Sequence, residues 1–297
     1  MSETAPAGPG AKKGGFADLK TRILSAIVMA ALAVGTLIVG GVAFTLFWLF
    51  AAIVMAWEWQ NLVGGARPRL RVYISGASVA LACAFAAQLW PEPAVVILAI
   101  GAALTSFAAE PGKKLWSASG VFYAGALIVA LCLLKPPIAA FGLATPIDPP
   151  STTRAIIWLF AVVWGTDIMA YFGGRLIGGP KLWTRVSAGK TWSGTLVGIS
   201  CGAALGLAVA MFRNDAPIAP VPMFLVGLLA AAVAQAGDLL ESAVKRRFGA
   251  KDSSNLIPGH GGVMDRLDGF ITSSILAAAI GAARGWPTVA EGLFQWR

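Results

Sequence analysis

Asp238, Glu241, Ser242 and Lys245 recur at i, i+3, i+4 and i+7, so on a helix they share one face. Further along, Asp265 and Asp268 stand three apart at the start of another apolar run. Three carboxylates, Asp238, Asp265 and Asp268, meeting across the interface of two helices repel one another unless a cation holds them. Ligands that are all oxygen select a hard ion, and beside a triphosphate that ion is Mg²⁺, held by one or two carboxylates, phosphate oxygens and water. The other reading is an ion-pair network in which Lys245, Arg246 and Arg266 neutralise the acids. His260 is the only histidine, which excludes a multi-histidine metal centre. It is either a general base or a support for the loop Pro258-Gly259-His260-Gly261-Gly262, whose glycines permit close approach to a ligand. Ser242 and His260 have no third member for a nucleophilic triad.

A second polar cluster precedes these. Asp167, in Trp164-Gly165-Thr166-Asp167, is followed by Tyr171 and Gly173-Gly174-Arg175. A carboxylate near the end of an apolar run needs a partner, a cavity or a metal. It either pairs with Arg175 or Lys190, or faces a phosphate-bearing ligand together with Lys181, Arg185 and Lys190. Gly189-Lys190-Thr191 is not a P-loop, because the earlier glycine of that motif and its preceding strand are missing. What remains is an anion site: backbone N–H groups at the start of a helix, a lysine and a hydroxyl.

The elements that must position these residues are apolar throughout. Of 297 residues, 57% are hydrophobic and 12% charged, which excludes an ordinary soluble domain. About nine runs approach the length that crosses a ~30 Å hydrocarbon core: 23–40, 42–57, 72–90, 94–109, 119–134, 155–172, 194–212, 221–240 and 267–283. The expected fold is therefore an all-α, polytopic integral membrane protein. Residues 1–22 read as a disordered tail, 23–134 as a five-helix scaffold and 155–283 as a four-helix catalytic half, with a Gly/Pro-containing boundary over 135–153. Neither an internal repeat nor a cleavable leader is evident.

Charge sets the orientation. Of 23 basic residues, all but Lys135, Arg154, Arg213, Arg284 and Arg297 fall in the tail or in connections on one side. Retention of Lys and Arg in the cytoplasm then puts the N-terminus inside and the C-terminus outside. The formal charge of +9 reflects this orientation and calls for no nucleic acid. Cys83, Cys132 and Cys201 lie inside spans without paired spacing and read as packing residues. Trp48, Trp57, Trp59, Trp90, Trp158, Trp192 and Trp286 lie near span ends and are expected to anchor in the headgroup region.

Ser242-Ala243-Val244-Lys245-Arg246, then Lys251-Asp252, then Ile257-Pro258-Gly259-His260-Gly261-Gly262-Val263-Met264-Asp265-Arg266-Leu267-Asp268 resembles the signature of the phosphatidate cytidylyltransferases, or CDP-diacylglycerol synthases. The stretch 164–194, with Asp167, Ala170-Tyr171, Gly174-Arg175, Lys181-Leu182 and Gly189-Lys190-Thr191-Trp192, is similar to that family too. The N-terminal half resembles it only in being hydrophobic. Family members usually carry Glu at the position of Ser193 and Pro at that of Ala188, and small residues where Ile168 and Met169 stand.

The resemblance implies transfer of a cytidylyl group from CTP to phosphatidate, with Mg²⁺ and a second, monovalent cation such as K⁺. Together with the residues themselves it marks Asp238, Lys245, Arg246, His260, Asp265, Arg266 and Asp268 as catalytic, the three aspartates among them as metal ligands. Asp167, Tyr171, Lys181, Lys190, Thr191, Ser242, Lys251, Gly261 and Gly262 are the expected substrate contacts. The expected partners are CTP, phosphatidate in the bilayer, membrane lipids and a second copy of the chain, at the inner cell membrane with the site facing the cytoplasm. Two rivals fit less well. Asp265-Arg266-Leu267-Asp268-Gly269 copies the opening of the CDP-alcohol phosphotransferase motif, but 270–284 contains no acid to continue it. An ion-coupled transporter would also place acids in helices, yet near the midplane rather than at one face.

Overall fold

The computed structural model describes residues 16–137, 150–212 and 218–296. They form α1 (Phe16–Val39), α2 (Gly41–Val63), α3 (Pro68–Ala86), α4 (Pro91–Ala108), α5 (Lys114–Leu134), α6 (Pro150–Ile177), α7 (Trp192–Met211), α8 (Pro220–Arg247), α9 (Met264–Ala283) and α10 (Val289–Phe294). Among the described residues, α1 to α9 are the helices long and apolar enough to cross a membrane. Hydrocarbon offers a backbone no hydrogen-bond partner, so each helix satisfies its own N–H and C=O groups. The polytopic all-α architecture expected from composition is the one observed.

Boundaries follow the punctuation of the sequence. Gly40 and Gly41, both at positive φ, separate α1 from α2; α3, α4 and α8 each begin at a proline, whose missing N–H costs nothing there. Residues 16–22 of the expected tail are helical, while 1–15, and 138–149 of the expected boundary, lie outside the described residues. Arg213 and Arg297 lie outside them as well. With 28 residues each, α6 and α8 reach about 42 Å at 1.5 Å per residue, more than a ~30 Å core requires. Their C-terminal turns therefore continue past the expected spans and carry Arg175 on α6 and Glu241 to Lys245 on α8.

Backbone contact locks the helices that bear the polar residues. Gly194, Gly198, Gly202 and Gly206 recur every fourth residue along α7. A Cβ at the first three would come within 2.6 to 2.8 Å of the carbonyls of Ala170, Thr166 and Val162 on α6. Small residues at this spacing let membrane helices close on each other. On α8, a Cβ at Gly237 would meet the Asp268 carbonyl at 2.8 Å, and one at Gly269 of α9 would meet that of Ala234 at 3.1 Å. α5 is the hub, with 67% of its span window buried, and α1 the periphery, with 11%.

Between α6 and α7 the polar connection holds β1 (Lys181–Trp183) and β2 (Ser187–Thr191), a short antiparallel ribbon. Gly178 and Gly179 at positive φ, followed by Pro180, stop α6 and turn the chain into it. Trp48, Trp59 and Trp158 are core residues rather than interfacial anchors, because each ring points at a neighbouring helix. Trp48 stacks on Phe270 at 4.9 Å, and the Trp59 indole N–H donates to the Trp116 carbonyl at 2.7 Å. Trp57, Trp90 and Trp192 remain exposed.

The basic connections gather at one end of the bundle. Ser25 of α1 touches His260, Glu58 of α2 touches Ser254, and Trp116 of α5 packs on Phe248 with Arg247 over its ring. All three contacts fall on the segment that joins α8 to α9.

Candidate active site

At that end a cavity of about 810 Å³ opens between α6, the ribbon, α7, α8 and α9. α6 contributes Asp167, Tyr171 and Arg175; the ribbon Lys181 and Lys190; α8 Gln235, Asp238 and Lys245; α9 Asp265, Arg266 and Asp268. The two polar clusters of the sequence therefore form one site.

Lys190 is held by α8. Its Nζ lies 2.6 Å from Asp238 Oδ2 and donates to Gln235 Oε1 at 2.8 Å. Gln235 Nε2 donates in turn to Asp167 Oδ1 at 3.2 Å. Asp167 thus pairs with neither Arg175 nor Lys190; Arg175 donates instead to the Tyr171 hydroxyl at 2.7 Å. Thr191 is the N-cap of α7, its hydroxyl accepting the Gly194 N–H at 3.1 Å. That hydroxyl is engaged in starting the helix. Ser193 donates to the Gly178 carbonyl and ties the base of the ribbon together.

On the other wall, Lys245 Nζ lies 2.5 Å from Asp265 Oδ1 and 3.3 Å from Oε1 of the fully buried Glu241. Ser242 donates to Asp238 Oδ1 at 3.3 Å. Asp265 Oδ2 accepts the Ser253 N–H at 2.8 Å, the Ser253 hydroxyl at 3.0 Å and the Gly262 N–H at 2.8 Å. Both oxygens of Asp265 are thereby committed to Lys245 and the loop. Asp268 Oδ1 accepts the N–H of its neighbour Gly269 at 2.7 Å, and its carboxyl also meets that of Glu241. Among the described residues neither Asp268 nor Asp167 has a cation within ion-pair distance, and no three His, Cys, Asp or Glu side chains converge as a ready-made metal site.

Several expected site residues lie outside the cavity. Arg246 is exposed and donates to the Ala250 carbonyl at 3.0 Å; Lys251 is exposed as well. Gly261, at φ +84°, closes a turn in which the Ile257 N–H reaches its carbonyl at 2.8 Å. Gly262 is glycine because a Cβ there would strike the side chains of Ser253 and Glu58. His260 Nδ1 shares a 2.7 Å hydrogen bond with Ser25 Oγ, which also contacts the Pro258 carbonyl at 3.1 Å. Burial and the nearby Arg266 and Arg22 cations hold its imidazole below the usual histidine pKa. Of the two roles open to His260, the geometry fits the support.

Sequence reasoning assigned no role to Gln235 or to Glu58. Gln235 carried a usable signal, a polar side chain one turn before Asp238 on the same helix. Glu58 carried another, an acid at the very end of an apolar run, between Trp57 and Trp59.

The cytidylyltransferase family model matches residues 20–283. The chain belongs to the cytidylyltransferase family. The match takes in the N-terminal half, where motifs alone had shown nothing but apolarity. Among curated proteins, the phosphatidate cytidylyltransferase of Brucella abortus biovar 1 (strain 9-941) is 38% identical over 280 residues, 94% of this chain and 99% of that one. Its counterpart in Pseudomonas aeruginosa is 36% identical over 273 residues, 90% and 98% of the two chains. That of Staphylococcus epidermidis (strain ATCC 35984) is 31% identical over 258 residues, 85% and 95%. This cytidylyltransferase is a nucleotidyl-transferring enzyme, and its polar cavity is its candidate active site.

Proposed function

We propose that this chain transfers the cytidylyl group of CTP to phosphatidate, leaving CDP-diacylglycerol and pyrophosphate. The observation that carries the reading is the cavity itself, lined by Asp167, Asp238 and Asp268 together with cations of the ribbon, α8 and α9, at one end of a bundle of helices long and apolar enough to cross a membrane. A phosphate oxygen of phosphatidate forms a bond to the α-phosphorus of CTP as the bond to the β-phosphate breaks. Such displacement depends on positioning and charge neutralisation rather than covalent help. The second proton of a phosphate monoester leaves near pH 6, so the nucleophile is already largely ionised at neutrality. No protein base is required, in keeping with His260 standing outside the cavity.

The donor set fits a hard divalent cation. Asp167 and Asp268 face the cavity without a cationic partner among the described residues, and every candidate ligand there is oxygen. Asp268 and Asp167 would hold Mg²⁺, joined by Asp238 where Lys190 turns from it to a substrate phosphate, with Asp265 serving through Lys245 and the loop. Bound there, the ion would neutralise triphosphate charge and orient the reacting phosphate. Lys190 and Lys245 are kept extended by Asp238 and Asp265; Lys181 and Arg266 complete the cationic rim. The basic end faces the cytoplasm, where CTP is dissolved, and the lipid tails stay in the bilayer.

The test is a label-transfer assay. Purified chain given CTP labelled at the α-phosphate, phosphatidate and Mg²⁺ is expected to move label into a chloroform-soluble product and to release unlabelled pyrophosphate. Label that stays in the aqueous phase while CTP is consumed would contradict the reading.

A further inference from the structure

Glu58 lies on α2, in the half of the molecule that supplies no side chain to the cavity, and it is fully buried. No cation pairs with it among the described residues. Its partners are all on the segment joining α8 to α9. Oε1 accepts the Ser254 hydroxyl at 2.6 Å and the Val263 N–H at 2.9 Å, and Oε2 accepts the Met264 N–H at 2.7 Å. Val263 and Met264 are the N-cap and first residue of α9, whose N–H groups have no partner inside the helix. A carboxylate there also meets the positive end of the helix dipole.

The same segment is held from its other side by Asp265. That carboxylate takes Ser253 and Gly262, while Glu58 takes Ser254, Val263 and Met264. Each foot of the loop 253–264 is therefore gripped by two carboxylates on adjacent residues, one from α9 and one from α2. Gly262 lies where the grips meet, and a side chain there would strike both Ser253 and Glu58. α2 itself is a firm base: Gln60, two residues on, donates to the Ser75 hydroxyl at 3.0 Å and the Ser117 carbonyl at 2.8 Å, and accepts from Arg71 at 3.2 Å.

We infer that Glu58 is a positioning residue for the transfer reaction: it caps α9 from the scaffold half and sets the depth and rotation at which Asp265 and Asp268 enter the cavity. The inference rests on the proposed function and adds a residue to it. Misplacing reacting groups by about 1 Å costs on the order of 100-fold in rate, so the effect belongs in turnover. Glutamine cannot replace the carboxylate, because its amide nitrogen is a donor facing a backbone donor.

Purified Glu58→Gln and Ser254→Ala proteins, compared with wild type in one detergent, test this. Glu58→Gln is expected to lower kcat by about 100-fold and Ser254→Ala by about tenfold, each with KM for CTP within about threefold of wild type. Amide exchange is expected to quicken at 253–264 and to stay unchanged along α2. A wild-type kcat in Glu58→Gln overturns the inference. So does loss of folded protein, or faster exchange throughout α2 to α5, since Glu58 would then serve general stability. If wild-type protein makes no lipid product, it is the proposed function that fails, and the exchange comparison still decides the role of Glu58.

Discussion

The acids around the cavity have distinct tasks although their spacing is alike. Asp265 and Asp268 stand one turn apart on α9, yet Asp265 is spent on Lys245, Ser253 and Gly262, while Asp268 meets its neighbour's N–H and the Glu241 carboxyl and no described cation. Residue type and the i, i+3 spacing were legible in the sequence. The division of labour was not, because it depends on where loop N–H groups lie, and no side-chain pattern encodes that. His260 is a similar case: its signature context was plain, but only the fold shows it meeting Ser25 of α1 outside the cavity. Its pKa is lowered in the folded protein, so the neutral imidazole is favoured. The loop's stability is full above the unfolded value of about 6.5 and declines as pH falls through it. His260→Asn is therefore expected to keep kcat within about threefold of wild type at pH 7.5 and to flatten the fall in thermal midpoint between pH 7.5 and pH 5.5. A 100-fold loss of kcat at pH 7.5 would make His260 the base after all.

Among the elements, the glycine seam on α7 does more than join two helices. α6 carries Asp167 and β2, leading into α7, carries Lys190, so the α6–α7 separation sets the width of the cavity. A Cβ at Gly202 would lie 2.8 Å from the Val162 carbonyl and 3.1 Å from the Thr166 nitrogen. These are backbone atoms that cannot yield without parting the helices. Gly202→Val is expected to lower the thermal midpoint, through overpacking of about 1–3 kcal/mol, and to cut activity at least tenfold. Gly35→Ala, with nothing within 4 Å on peripheral α1, is the matched control and is expected to behave as wild type. The number and order of spans could be read from apolar run length alone. The ribbon could not, since three- and five-residue strands beside Gly-Gly-Pro leave too short a pattern to separate from a turn.

At the scale of the whole molecule, contacts join the five-helix half to the half that lines the cavity. Three helices of the N-terminal half reach the segment between α8 and α9: α1 through Ser25, α2 through Glu58 and α5 through Trp116. The N-terminal half looked uninformative because its contribution comes from single residues, Ser25, Glu58 and Trp116, whose partners lie more than 130 residues away in the sequence. The relatives, matched over 85% to 94% of this chain, bear the same whole-length relationship.

The central claim is that nucleotidyl transfer occurs in the α6–α9 cavity and turns on Asp268, a carboxylate there without a cationic partner among the described residues. Label transfer from CTP to phosphatidate by Asp268→Asn, set against wild type at equal folded concentration and saturating Mg²⁺, tests it most directly. The amide keeps the Gly269 contact but removes the charge that no described cation offsets, and the rate is expected to fall by about 1,000-fold, about 4 kcal/mol of transition-state stabilisation. An Asp268→Asn enzyme that labels lipid at the wild-type rate would place the chemistry elsewhere.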